Sequence, residues 1–172
     1  MDAAALRALQ APLKERYRAE PATAVTHVSA TADFSDHGIT ATVGTWAGPV
    51  RAGLHPATGG DGADACSADM LLQALLGCIG VTMRSVATAM GLDIRSARFE
   101  ARSTFDARGT LGVDRSADVG VGPIAVTVTV DTDADEAALE RLGATTERYC
   151  VVAKSLATPP VLTVVRASAA VL

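Results

Sequence analysis

Along the 172-residue chain, apolar residues recur in some segments with the period of a helix and in others with the two-residue period of a strand. The longest apolar stretch runs from Asp69 to Met90. Apart from a few polar interruptions, apolar side chains occupy almost every face of the helix that this length predicts. Such a pattern is typical of a helix that is buried on all sides. We therefore expect a long central helix that other elements cover.

The remaining elements follow from amphipathic and alternating patterns on either side of this helix. Pro12 is expected to limit the first helix, and Gly143 is a candidate bend in the last one. The predicted elements, in order, are a helix over 2–18, about three strands over 24–54, the central helix over 69–90, strands over 94–104 and 124–130, a helix over 133–156 and a strand over 161–169.

Strands that come in runs predict an α+β fold with mainly antiparallel sheets packed around the central helix. One sheet and one further helix scarcely cover an all-apolar helix in a chain of this size, so we expect an intertwined homodimer to supply the missing cover. Residues 1–22 are predicted to be an N-terminal helical extension, and residues 23–172 a single domain.

Composition and charge exclude several classes of partner. Aromatic residues make up 3% of the chain, so base-stacking platforms are not expected, and a formal charge of −4 leaves no basic footprint for nucleic acid or anionic membrane.

The central helix is nearly long enough to span a membrane, but Gln73 and Arg84 interrupt it. Trp46, Phe99 and Phe105 are expected to pack in the core or at an interface. The N-terminus lacks the pattern of a signal peptide, so we predict a cytoplasmic protein.

The three cysteines do not form the pattern of a disulfide framework or a zinc site, because they are few and contain no CxxC pair. His27, His37 and His55 have no ligand spacing and are expected in turns or at the surface. The glycine-rich loop at 56–64 lacks a GK[ST] ending and predicts a connecting loop. We therefore expect neither a metal nor a cofactor.

Cys78 lies in the middle of the central helix, and Cys150 lies near the middle of the second predicted helix. Two such cysteines are either core residues or a dithiol pair that helix packing brings together, and spacing alone does not decide between them. Cys66 is a poor partner for Cys78, since twelve residues along a helix span about 18 Å, far beyond disulfide reach.

Two segments around these cysteines resemble a known family. The run SADMLLQALLGCIGVTM is similar to the central-helix motif of the OsmC/Ohr superfamily of osmotically inducible and organic hydroperoxide resistance proteins, and ERYCVVAKSL is similar to its second-cysteine motif. The resemblance covers roughly residues 25–168 and implies an OsmC-like fold for the domain at 23–172, with an intertwined homodimer and active sites at the subunit interface. It also implies a thiol peroxidase that reduces organic hydroperoxides in oxidative stress defence.

The resemblance assigns roles to individual residues by position. Cys78 matches the peroxidatic cysteine and Cys150 the resolving cysteine, whose disulfide a small dithiol or lipoyl-type reductant reopens. Peroxidase members carry a glutamate ten residues before the first cysteine, where this chain has Ala68, and Asp69 is the nearest acid. Arg51 is the candidate for the arginine that activates the thiolate in this family.

Two further arginines, Arg18 and Arg148, are weaker candidates for that cation. Asp69 has an alternative role, because a negative charge in the first turn of a helix interacts favourably with the helix dipole. If the activating Arg and Glu are lost, the same scaffold is a non-catalytic binding protein that uses the dimer-interface pocket for a small apolar or thiol ligand. A third reading is a structural dimer whose cysteines are core residues.

Overall fold

The computed structural model describes residues 1–35 and 37–167, which form helices and strands in a mixed order. The helices are α1 (Ala3–Ala19), α2 (Ser67–Met90), α3 (Ala107–Thr110), α4 (Glu136–Tyr149) and α5 (Val151–Lys154). The strands are β1 (Ala32–Asp33), β2 (Thr40–Thr45), β3 (Gly48–Gly53), β4 (Ala65–Cys66), β5 (Ser96–Arg102), β6 (Ala125–Asp131) and β7 (Val161–Arg166). The predicted mixed α+β class is confirmed.

The chain divides into two compact units. The first comprises residues 1–26, 74–102 and the part from 123 onward, and the second comprises residues 27–73 and 103–122. The first turns of α2 therefore belong to the second unit and the rest of α2 to the first. The predicted boundary between an extension at 1–22 and a domain at 23–172 stays a prediction, and Ser168 and Ala169 of the last predicted strand lie outside the described residues.

Helix α1 differs from its prediction at Pro12. It continues through Pro12 rather than being limited there, and Asp2 caps it by accepting a hydrogen bond from the N–H of Ala5 at 2.8 Å. None of its residues is buried, and the side chains of Leu9 and Leu13 are 59% and 42% exposed. The amphipathic stripe thus has no buried packing within this chain.

The second unit contains a four-stranded sheet in the order β1-β2-β3-β4. Strands β1, β2 and β3 pair antiparallel, and β3 pairs parallel with the two residues of β4. Thr45 pairs with Gly48, so Trp46 and Ala47 form the hairpin tip. Trp46 is fully exposed there, so it does not pack in the core of this chain, and its alternative place at an interface stays a prediction.

The first unit contains a three-stranded sheet in the order β5-β6-β7. Strands β5 and β6 pair antiparallel, but β6 and β7 pair parallel, because α4 and α5 form the crossover between them. Alternate residues of β6 are buried, with Val128 and Val130 fully so. Parallel pairings therefore occur in both sheets, in addition to the antiparallel ones that the pattern predicted.

Helix α2 is buried along one stripe rather than on all sides. The stripe has a four-residue spacing and consists of Leu75, Ile79, Met83 and Ala87, whereas the side chain of Val81 is 75% exposed. A single chain therefore covers one face of α2, and burial on every face stays a prediction. The homodimer that was expected to cover the other faces stays a prediction.

The C-terminus of α2 is capped as its sequence predicts. Gly91 adopts a left-handed conformation with a φ of 69°, and the N–H of Leu92 donates to the carbonyl of Ala87 at 2.9 Å. Among the described residues, α2 is the one helix long and apolar enough to cross a membrane. The core helix of a soluble protein meets the same criterion, so length and composition alone do not distinguish a core helix from a membrane span.

The second predicted helix is two helices that meet at Cys150. Cys150 has extended backbone angles (φ −74°, ψ 106°) and both ends α4 and begins α5. Its N–H donates to Thr146 at 2.9 Å, and its carbonyl accepts from Lys154 at 3.0 Å. The break therefore lies at Cys150 and not at Gly143, which is buried within α4, where an added Cβ would lie 3.2 Å from Val164.

Candidate functional site

The structure brings Cys78 and Cys150 together within the first unit. Cys78 is half-buried in the middle of α2, and Cys150 is fully buried at the junction of α4 and α5. The two sulfurs are hydrogen-bond partners, with the Cys150 thiol donating to Cys78. Of the two readings that the sequence left open, the geometry therefore favours a dithiol pair over two unrelated core residues.

The surroundings of Cys78 favour its thiolate form. Burial works to raise its pKa and is the largest single influence, but hydrogen bonds outweigh it and lower the pKa below its ordinary value. The donors are the N–H of Val152, the thiol of Cys150, the hydroxyl of Thr82 and the N–H of Val151. None of these four donors is a cation, so neutral groups stabilise the charge.

The surroundings of Cys150 favour its protonated form. Burial raises its pKa most, and the neighbouring Cys78 raises it further, while hydrogen bonds from the N–H groups of Ala153 and Val152 offset only part of this. The same pair therefore holds one sulfur as the better nucleophile and the other as a proton donor to it.

The backbone donors exist because the helix breaks at Cys150. Within a continuous helix, the N–H groups of Val151 and Val152 would bond to carbonyls four residues earlier. At the start of α5 they have no such partner and are available to the sulfur of Cys78. The sequence predicted a single helix over 133–156 and so gave no sign of these two donors. Thr82 was not predicted either, although it follows Cys78 by four positions, about one helical turn.

Arg51 lies in the second unit and is engaged with Asp64. Its Nε and Nη2 donate to the two carboxylate oxygens at 2.5 and 3.1 Å. Gly53 makes room for this pair, because a Cβ at that position would lie 2.8 Å from the Cβ and Oδ2 of Asp64. The predicted role of Arg51 toward Cys78 stays a prediction.

Three other residues singled out in the sequence also lie in the second unit. Asp69 is exposed in the first turn of α2, next to the half-buried Ala68, and Cys66 ends β4 immediately before the helix. The role predicted for Asp69 in catalysis stays untested, as does its alternative role at the helix terminus.

The remaining candidates occupy ordinary positions. Arg148 lies over the ring of Tyr149 at 5.5 Å, and Arg18 is exposed in the last turn of α1. Within residues 1–35 and 37–167, no group of three or more His, Cys, Asp or Glu side chains is arranged to hold a metal ion.

Comparison with known proteins identifies a family. The family model described as OsmC, OsmC-like protein, matches residues 60–165, which include both cysteines. No curated protein matches the chain in sequence.

Several solved structures share the fold at low sequence identity. An OsmC-like protein of unknown function from Vibrio cholerae superposes with a TM-score of 0.66 at 15% identity, covering 82% of this chain and 100% of that one. An organic hydroperoxide resistance protein from Elizabethkingia anophelis gives a TM-score of 0.63 at 12% identity, covering 84% and 97%. A protein from Legionella pneumophila, described as organic hydroperoxide resistance protein OsmC, gives 0.59 at 13% identity, covering 84% and 100%.

Proposed function

Because the chain belongs to the OsmC-like protein family, we propose that it is a thiol peroxidase that reduces organic hydroperoxides through Cys78 and Cys150. The observation that carries the proposal is the pairing of a Cys78 sulfur whose pKa is lowered with a buried Cys150 thiol that donates to it. A thiolate is the reactive form of cysteine, so the pair supports nucleophilic chemistry at Cys78.

The first step is attack of the Cys78 thiolate on the terminal oxygen of the hydroperoxide. The S–O bond forms as the O–O bond breaks, and Cys78 becomes a sulfenic acid. The alkoxide that leaves takes one proton and departs as an alcohol. The sulfur is oxidised by two electrons, and the peroxide is reduced by two.

The second step joins the two cysteines. The sulfur of Cys150 attacks the sulfenic sulfur of Cys78, hydroxide leaves and takes up the thiol proton, and a disulfide and one water result. The hydrogen bond that the Cys150 thiol donates to the Cys78 sulfur supports this step, because the two sulfurs already lie side by side. A small dithiol or lipoyl-type reductant then reopens the disulfide by exchange and is itself oxidised to a disulfide.

Stopped-flow oxidation of the reduced protein tests the proposal. The wild type should react with cumene hydroperoxide far faster than a free thiol does, and faster than with hydrogen peroxide. Cys78→Ser should abolish the reaction, while Cys66→Ser, the matched control, should leave it unchanged. A wild type that reacts no faster than a free thiol would sink the proposal.

The predicted roles of Arg51 and Asp69 form part of the proposal and need their own test. Arg51→Gln removes the cation and keeps a hydrogen-bonding side chain, and we expect a slower oxidation of Cys78 by alkyl hydroperoxide. Asp69→Asn tests the acid, with Glu136→Gln, in the first turn of α4, as the control for a charge change at a helix terminus. An unchanged rate in Arg51→Gln would remove Arg51 from the active site.

We propose further that the protein is a cytoplasmic homodimer. The exposed, apolar Val81 on α2 supports the homodimer, because a second copy would cover it. Light scattering of the purified chain should give twice the mass of one subunit. In Val81→Glu the measured mass should fall to that of a single subunit.

A binding protein on the same scaffold is the second candidate function. Ala68 at the position of the family glutamate favours it, as does the carboxylate of Asp64 that neutralises Arg51. In that case the cysteines are retained without rapid peroxide reduction, and the stopped-flow experiment separates the two candidates.

A further inference from the structure

The outer edge of the three-stranded sheet in the first unit is open along β7. Among the described residues, β7 pairs with β6 alone, so one side of its backbone has no neighbouring strand. The N–H of Val161 donates to the carbonyl of Ile124 at 2.9 Å, which fixes the residues that face β6. Backbone groups of successive strand residues point to opposite sides, so those of Leu162, Val164 and Arg166 point to the open edge.

A groove of about 770 Å³ separates this edge from α4, and neither cysteine of the proposed peroxidase pair lines it. The N–H of Leu162 donates to the carboxylate of Glu147, near the end of α4, at 3.2 Å. At the other end of β7, the guanidinium of Arg166 donates to the carbonyl of Ala134, just before α4 begins. Strand and helix therefore run in opposite directions, and the groove follows β7 from Leu162 to Arg166.

Small residues of α4 line the middle of the groove. Gly143 packs directly against Val164, because a Cβ at position 143 would lie 3.2 Å from that side chain. Ala144 is exposed beside it. An added strand has to come within about 4.8 Å of β7 to form hydrogen bonds, and neither of these two residues carries a side chain large enough to block it.

The side of the groove that α4 forms is acidic. Glu140 is exposed and Glu147 is half-buried, and the hydrogen bond from Leu162 holds the Glu147 carboxylate at the edge itself. Arg166 is the one cation in the lining, and it lies at the same end as Glu136, so these two charges offset each other. Glu140 and Glu147 therefore leave the rest of the groove negatively charged.

We propose that the open edge of β7 binds an extended basic segment of another protein as an added strand, with Lys or Arg at alternate positions facing Glu140 and Glu147. The outward backbone groups of Val164 and Arg166 pair with the segment, and the two carboxylates select its charge.

The spacing of the carboxylates suits such a segment. Glu140 and Glu147 are about 10.5 Å apart along α4, and side chains on one face of a strand follow each other every 7 Å or so, about the reach of a lysine. A second copy of this chain is a poor occupant, because pairing of two β7 edges would bring a second set of the same carboxylates to the groove.

Fluorescence anisotropy of labelled synthetic peptides tests the proposal on the reduced wild-type chain. The peptide KTKTKTK presents all of its lysines on one face of a strand, KKTTTKK has the same composition with its lysines divided between the two faces, and ETETETE reverses the charge. At low ionic strength, KTKTKTK should bind saturably, KKTTTKK roughly fivefold more weakly and ETETETE not at all. An edge that leaves KTKTKTK unbound, as one already occupied by a second copy would, overturns the proposal, and so does equal binding of KTKTKTK and KKTTTKK.

A pair of charge variants locates the site on α4. Glu140→Lys reverses a charge in the groove and should weaken binding of KTKTKTK by about tenfold or more. Glu15→Lys makes the same change at an exposed position of α1 and should weaken it by about twofold or less. Equal weakening by both variants would mean that net charge alone attracts the peptide, and this result rejects the groove.

A second pair of variants tests the backbone pairing. Val164→Pro removes an N–H that points to the open edge, a change that an edge strand tolerates, and should weaken binding about fivefold relative to Val164→Ala. Circular dichroism and thermal melting confirm that each variant is folded. Equal binding by the two folded variants rejects the added strand, and the Glu140→Lys comparison decides the case if Val164→Pro does not fold.

Discussion

The middle of α2 and the junction of α4 with α5 each hold one cysteine of the pair, in opposite electrostatic states. Cys78 on the continuous helix has its pKa lowered, because hydrogen bonds to its sulfur outweigh burial. Cys150 at the helix break has its pKa raised, mainly because it is buried. The break between α4 and α5 frees backbone N–H groups, and these donate hydrogen bonds to the sulfur of Cys78 on α2.

The largest effect is expected when the buried side of the pair is removed. In Cys150→Ser, the first oxidation of Cys78 should persist, but sustained turnover with a dithiol reductant should fall by about 100-fold or more, since no disulfide forms. One equivalent of sulfenic acid per chain should accumulate and be trapped by dimedone. Wild-type turnover in this variant would contradict the resolving role of Cys150.

A smaller effect is expected from the side-chain donor on α2. Thr82→Val keeps the shape of the side chain and removes the hydroxyl that donates to Cys78. Loss of one hydrogen bond to a charged sulfur should slow oxidation of Cys78 roughly tenfold near neutral pH. Thr82→Ser restores the hydroxyl and should recover most of the rate. Equal rates in Thr82→Val and Thr82→Ser would remove the hydroxyl from the account.

The smallest effect is expected from one backbone donor at the start of α5. Val151→Pro removes an N–H that faces Cys78, and proline suits this first helical position because the preceding Cys150 is extended. Oxidation of Cys78 should slow by about threefold to fivefold. Val151→Ala, which keeps the N–H, should match the wild type. If both variants behave alike, the backbone donor does not contribute.

The sequence pattern predicted the mixed fold, and the two motifs singled out Cys78 and Cys150 as candidate site residues. Both were accessible because apolar periodicity and a short motif are local properties of the sequence. It did not predict the break at Cys150, since Val151 and Val152 continue an apolar face that suits an unbroken helix. Nor did it predict the solvent-facing Val81, because apolar character alone does not say which face of α2 a single chain covers.

The candidate site was predictable in part for the same reason. Cys78 and Cys150 are side chains that the resemblance identifies. The N–H groups of Val151 and Val152 carry no signature in the sequence, because every residue except proline has one. Their role depends on where the backbone turns.

The most direct test measures both thiols in one titration. The reduced protein is alkylated with iodoacetamide from about pH 5 to about pH 10, and initial rates at Cys78 and Cys150 are read by peptide mass spectrometry. Because its pKa is lowered, Cys78 should reach half of its maximal rate below about pH 8.5, the pKa of an ordinary thiol, and Cys150 should reach half of its own maximal rate only above that pH. Coincident profiles, or Cys150 reacting at the lower pH, would contradict the account.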